Sequence, residues 1–436
     1  MSRLDGADDH SVMRVPQSAR KSMLTILSIR VAAFACISQV LIGATIGYGM
    51  TFWQAVAATF AGSIILQGVS CALGIMGMRE GLPTALLTQW TGFGRYGSSM
   101  IGAVFAISMT GWFGVQNAVF AEGVVHMSDG SIPFTVAAIM TGMSTTLLVL
   151  YGMNWLAKVA NIAGPLFLIA MGYAVYLVLK EENLSALMQS PPPGPPLTLG
   201  TAATIIASGF IVGCVVAPDL NRYSRSAADV VWTTVVGTLI GELGVNLVVV
   251  LMIHATGNAD IMATIFKTTG LTGGLIVMLA TVKVNNVNIY SSSLGMGSLL
   301  KTLFNIHMSR GLLTLVLGTF GTFLSVAGIY DQFTDFLILL GITIPPIAGI
   351  MVVDYYVLGT SRVALDASRA SGTLPTEVEK LNPHALIAWI GGALIGHFDA
   401  WGIPSLTAIV ASAAIYYFSM KAMRRPAASN SASAKQ

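Results

Sequence analysis

Long apolar runs separated by short polar interruptions dominate the chain. A helix needs ~20 apolar residues to cross hydrocarbon. Twelve runs approach that length: 24–49, 53–78, 99–124, 133–152, 154–179, 199–217, 231–256, 271–298, 311–328, 333–357, 384–398 and 402–420. The eleventh is short. None shows the brief alternating segments of a membrane β-barrel. The pattern predicts an all-α polytopic membrane protein with about twelve transmembrane helices.

Composition agrees. Of 436 residues, 54% are hydrophobic and 9% charged, against about a quarter charged in an ordinary soluble domain. The mean hydropathy is +0.75. A soluble fold and a disordered chain are both excluded. The longest polar stretches are 180–198, with PPPGPP at 191–196, and 359–383. They divide the chain into a tail (1–23), a ten-helix core (24–357), a loop (358–383), two further spans (384–420) and a second tail (421–436). The Pro-rich stretch is a stiff connector. It splits the core into five helices at 24–179 and five at 199–357, a division that suits the inverted repeats of secondary transporters.

Charge placement orients the spans. With both termini in the cytoplasm, eighteen of the 22 Lys and Arg residues fall in inside loops and tails, and only Lys180 and Lys267 fall outside. Arg30 and Lys283 lie within spans. That bias follows the positive-inside rule and predicts a multi-pass protein of the inner (cytoplasmic) membrane. The first 22 residues carry no apolar signal core. Cys36, Cys71 and Cys214 sit in apolar runs without CxxC spacing and read as packing residues. The six histidines are not spaced as metal ligands. No Walker motif, HExxH or Cys/His cluster is present, and no span carries an arginine ladder. The expectation is a secondary transporter rather than an enzyme, with no cofactor, no nucleic acid and no obligatory protein partner besides the lipid bilayer. A channel differs from this reading in predicting no saturation and no counterflow.

Polar groups at membrane depth are costly and mark function by default. In the third span, Trp112 and Gln116 are four residues apart on one helix face, with Met109 beside them. They read as a stacking platform and an amide for a flat ligand, or as a packing Trp with a Gln bonded to the next helix. In the sixth, Ser208, Gly209 and Gly213 surround Phe210 and mark either close packing or a helix break exposing backbone groups to a ligand. In the eighth, Lys283 is followed by Asn285, Asn286, Asn288, Tyr290 and Ser291 to Ser293. A central Lys costs ~2.5–3.5 kcal/mol on insertion scales, so this segment faces a polar cavity or forms a polar network between helices. Arg30, one turn into the first span, is expected to snorkel. Glu242 lies in the middle of the seventh span, where it could pair with Lys283 or relay protons.

Four motifs occur in order along the chain: VPQSARKS at 15–22, GWFGV at 111–115, PDLNRYSRS at 218–226, and IPPIAG with DYY around 344–356. Together they resemble the nucleobase–cation symporter family 1, and most of all its bacterial cytosine permeases, from about residue 14 to 420. The resemblance implies a LeuT-like fold of two inverted five-helix repeats plus two further helices. It also implies alternating access to a site between helices 1, 3, 6 and 8. It makes Trp112 and Phe210 the aromatics that sandwich a flat base, with Gln116 as the amide that reads it. Gly209, Asn285 and Asn288 complete the expected substrate site. Three positions depart from the cytosine permease pattern. Met109 stands where those proteins carry Gln, Val212 where they carry Ser, and Ala280 where they carry Asn. Gln116, Asn285 and Asn288 are the candidate replacements. Sodium-coupled members place two adjacent helix 8 hydroxyls at the cation site, and Lys283 and Val284 align there. The implied coupling is therefore to H+ rather than Na+, or absent, with Lys283 and Glu242 as the coupling candidates. The implied substrate is cytosine or a related nucleobase. The alternatives are a hydroxymethylpyrimidine, a purine or a hydantoin-like ring, and sodium-coupled symport.

Overall fold

The computed structural model describes residues 13–34, 36–151 and 153–423, and side chains within that range except at 34, 151 and 153–164. Both tails' outer residues, including Arg3, His10, Arg424, Arg425 and Lys435, lie outside it.

Every described element is helical. The first predicted run holds two helices, α1 (Met23–Phe34) and α2 (Ile37–Gly49), meeting at a 59° bend. α3 (Phe52–Glu80) ends at Gly81, which takes a left-handed φ of 65° to turn the chain into Leu82 and Pro83. α4 (Thr84–Trp90) leads to α5 (Gly94–Met127), α6 (Phe134–Tyr151) and α7 (Met153–Leu179). A single turn, α8 (Leu184–Leu187), precedes the Pro-rich connector. Thr198 caps α9 (Leu199–Val215), and Pro218 opens the short α10 (Ala217–Asn221). Ser226 caps α11 (Ala227–Thr238), which passes through a π-helical turn, Leu239–Gly244, into α12 (Val245–Thr256). α13 (Ile261–Phe304) is interrupted at Gly270, whose φ of 63° and ψ of −161° are open only to glycine. Then come α14 (Arg310–Val326), α15 (Phe333–Thr343), α16 (Pro345–Val352) and a second π turn, Val353–Leu358. α17 (Arg362–Ser371), α18 (Pro383–His397) and α19 (Pro404–Met423) complete the chain.

Helices occupy all twelve predicted segments. By length and composition alone six can cross a membrane, or seven if α1 and α2 form one bent span. Large apolar side chains such as Trp53, Phe60, Ile169, Trp232 and Leu279 point outward, as lipid-facing surfaces require. Inside, small residues let backbones touch. A Cβ on Gly62 of α3 would stand 2.6 Å from the Ala203 carbonyl of α9, and one on Gly295 of α13 would stand 2.4 Å from the Gly102 carbonyl of α5.

Of the two readings of the sixth span, close packing holds and a break at its glycines does not, and the expectation for Arg30 fails. The sixth span does not break at Gly209 or Gly213: α9 is helical through both and ends after Val215, where Pro218 follows. Gly209 instead gives α2 room, since a Cβ there would meet Ile42 Cδ1 at 2.2 Å. The interruption lies in the first span, where no Gly or Pro announces it. Arg30 does not snorkel either. It is 8% exposed, its Nη1 donates to Ser70 Oγ at 2.9 Å, and its stem lies against Gly237 of α11.

The basic loops gather at one end of the bundle. Arg20 donates to the carbonyls of Met78 and Ser224, Lys21 N to Tyr223 O, and Arg95 N to Glu379 O. Arg14 and Arg369 converge on the fully buried Glu80 carboxylate at 2.9 and 2.6 Å, and Tyr355 Oη donates to it at 2.6 Å. At the opposite end the Pro-rich connector covers α2: Gly194 N donates to Tyr48 O and Leu197 N to Gly49 O, while His254 Nε2 bonds Met50 O.

Candidate functional site

The 59° bend leaves Ser38 and Gln39 in the first turn of α2, side by side at the centre of the bundle. α5 passes on one flank with Trp112 and Gln116, α9 on another with Gly209 and Phe210, and α13 on a third with Lys283 and Asn288. Ser38 and these side chains from α5, α9 and α13, but not Gln39, line a single cavity of about 620 Å³, within the range of small-molecule sites. From there the cavity runs toward the basic end of the bundle, past Ala32 of α1, Phe105 of α5, Gly295 of α13 and Asp219 of α10. Asp219 is held by the backbone N–H of Thr84 at 2.7 Å.

The opposite end is shut. Trp112, 5% exposed, meets Phe333 and Phe336 of α15 edge-on, with centroids 5.9 and 5.5 Å away. Beyond Phe333 lies a separate cavity of about 300 Å³ under Tyr48, Pro195 and Tyr330. The rings of Trp112 and Phe333 thus stand between the two spaces.

The polar groups of the central wall are specific. Gln116 Nε2 donates to Ser38 Oγ at 2.8 Å, which fixes the amide. Its Oε1 is buried and accepts nothing from the described residues. A buried acceptor in that state is costly and suits a donor brought by a ligand. Asn288 Nδ2 is committed to Asn285 Oδ1 at 3.2 Å. Asn285 is fully buried, does not line the cavity, and donates to the Phe113 carbonyl at 3.3 Å. It orients Asn288 and ties α13 to α5 rather than facing a ligand. Lys283 and Val284 both line the cavity, Lys283 half-buried and without an ion-pair partner among the described residues. Met109 forms apolar wall beside Trp112.

Glu242 does not meet Lys283. Its carboxylate accepts from Gln39 Nε2 at 2.9 Å and from Ser63 Oγ at 3.5 Å, behind the cavity wall. Spacing alone brought Met109, Trp112 and Gln116 onto one wall, and the structure adds Gly209, Phe210, Lys283 and Asn288 from two other helices. Ser38 and Gln39 were not singled out by the sequence. Their only signal is a pair of polar residues within the apolar run CISQVLIG.

The family model for permeases for cytosine/purines, uracil, thiamine and allantoin matches residues 14–418. The chain is 26% identical to the cytosine permease of Escherichia coli K12 over 403 residues, 92% of each chain. It is 24% identical to the hydantoin permease of Microbacterium maritypicum over 354 residues, 73% of this chain and 70% of that one. The solved inward-facing structure of Mhp1 superposes with a TM-score of 0.79 at 18% identity, covering 95% of this chain and 94% of Mhp1. The fold is therefore the LeuT-like one of a transporter, and the chain belongs to the nucleobase–cation symporter family 1, as a permease of the nucleobase and hydantoin type.

Proposed function

We propose that this permease imports cytosine, or a nucleobase of similar shape, across the cytoplasmic membrane, independently of sodium and driven by protons. Both termini and the basic end of the bundle are cytoplasmic in this reading, so the cavity is open to the inside. The observation that carries it is the set of Trp112, Phe210 and Gln116 Oε1, which has no partner among the described residues, around one cavity. Two aromatic side chains give a planar ring faces to stack on. The Gln116 carbonyl suits an amino or ring N–H, and the Lys283 amine, when protonated, offers donors to a ring carbonyl. Cytosine presents both kinds of edge. The same amine disfavours a cation such as thiamine. At the position aligned with the sodium site, Val284 has no ligating atom and Lys283 carries a donor where an acceptor is needed.

A second reading is a different planar ring, hydantoin-like or purine. Met109 on the cavity wall favours it, because a thioether replaces the amide that cytosine permeases carry there.

Quenching of intrinsic tryptophan fluorescence in the purified protein tests the substrate. Cytosine should quench saturably, equally well with and without sodium, and thiamine should not compete. Failure of cytosine to bind, with saturable binding of a hydantoin, would replace the first reading by the second.

A further inference from the structure

Glu242 lies at the centre of the seventh span, in the π turn joining α11 and α12, and is 0% exposed. A π turn inserts one residue into the helical ladder and often marks a functional position. The surroundings of this carboxylate are sparse. Among the described residues Gln39 Nε2 is its one close donor, and Ser63 Oγ stands at the edge of bonding distance. No Lys, Arg or His forms an ion pair with it among the described residues. As a carboxylate it holds a full charge against one neutral amide. As a carboxylic acid it has a hydroxyl to donate, and Gln39 Oε1 is a buried acceptor with no partner among the described residues. Turning the Gln39 amide lets that contact form, so the two protonation states make two different contacts with the same residue.

Gln39 is no ordinary partner. It sits next to Ser38 in the first turn after the 59° bend, and Ser38 holds Gln116 on the cavity wall. A ligand on Gln116 and a proton on Glu242 therefore act on adjacent residues of one joint. The other titratable groups facing this region are few. Arg30 of α1 is tied to Ser70 of α3, with Cys71 beside it. Cys214 of α9 is within electrostatic reach of both Arg30 and Glu242, and Cys36 stands at the bend within reach of Lys283. On their own helices, Asp229 and His254 are 13 and 12 residues from Glu242, about 20 and 18 Å at 1.5 Å per residue.

We propose that Glu242 is the site that takes up the coupling proton, and that Gln39 and Ser38 at the α1–α2 joint connect it to the bound base. This rests on the reading of the central cavity as a proton-driven nucleobase site. The carboxylate accepts one proton from the outer face while the joint exposes it, carries it as the neutral acid, and releases it inside. No other bond changes. Lys283 then stands in for the sodium ion without carrying the proton.

The test compares the full-length wild type with Glu242→Gln in proteoliposomes. Two quantities are read: exchange of labelled cytosine at equal pH on both sides, and accumulation under a pH gradient, acid outside. Glu242→Gln should exchange at a rate within about threefold of wild type, with its pH dependence gone, and should lose accumulation above the equilibrium level. Accumulation equal to wild type overturns the proposal, as does its loss in Lys283→Gln alone. If Glu242→Gln does not fold, Gln39→Ala serves. It keeps the carboxylate and should cut accumulation at least tenfold with exchange retained, and unchanged accumulation again overturns the link. An infrared pH titration of the purified protein needs no substrate. A carboxylic acid carbonyl band that titrates in wild type should be missing from Glu242→Gln, and an unchanged band would refute the site. Wild type that titrates there but does not exchange cytosine refutes the substrate reading instead.

Discussion

Trp112 is where a single side chain says most about the site. It is almost wholly buried between the Phe333 and Phe336 edges and the cavity. Base–aromatic stacking contributes ~1–3 kcal/mol, so Trp112→Ala should weaken base binding about 5- to 150-fold, with Trp112→Phe far milder. Calorimetric titration of both variants checks this, and an unchanged Kd for Trp112→Ala would remove the stacking role. Gln116→Leu keeps the volume but deletes the free carbonyl and the bond to Ser38. It should cost roughly 1–3 kcal/mol of binding, measured the same way. Trp112 and Gln116 were legible in sequence because four-residue spacing fixes a shared helix face. Asn285 and Asn288, three residues apart, also share a helix face, yet only Asn288 reaches the cavity, because α5 lies so close to α13 that Asn285 meets its backbone. The contact between Gln39 and Glu242 spans 203 residues, and no local pattern announces such a pairing.

At the scale of elements, backbone contact decides the cost of change. Gly295→Ala would push a methyl toward the Gly102 carbonyl, which cannot swing aside as a side chain can. Overpacking of this kind costs ~1–3 kcal/mol, and a lowered Tm of the detergent-purified protein is the expected result. The basic end offers a contrast between two carboxylates. Glu80 is buried and receives Arg14, Arg369 and Tyr355. Glu80→Ala leaves the Arg14 guanidinium its carbonyl and Ser368 contacts but no counter-charge, and should cost about 3 kcal/mol or more. Asp366 pairs with Arg362 and Arg369 on a 43% exposed surface, where such pairs contribute ~0–1 kcal/mol. Asp366→Ala should therefore melt within a few degrees of wild type. Equal losses in the two variants would refute the account of the Glu80 junction. The helices themselves were legible as uninterrupted apolar runs. Their joints were not: the glycine-bearing sixth span stays helical, while the first span bends where its sequence is CIS. A small residue reports a close approach as readily as a break, so glycine alone cannot separate the two.

Across the whole molecule, the distribution of charge and the shape of the cavity agree. Several of the basic residues that the sequence assigns to one side, Arg14, Arg20, Lys21, Arg95 and Arg369 among them, bond to neighbouring segments at one end of the bundle, and the central cavity leads to that end. Such global order was readable because it depends on sums over many residues. The wall of the site depends on four helices meeting at one bend, which no single stretch of sequence encodes. The central claim is that a stacked nucleobase crosses through this cavity with a proton and without sodium. Uptake of labelled cytosine into proteoliposomes, with a pH gradient imposed and sodium present or absent, tests it most directly. The account predicts saturable uptake that collapses when the pH gradient is dissipated and does not change with sodium. Uptake that requires sodium, or that persists undiminished without a pH gradient, would contradict it.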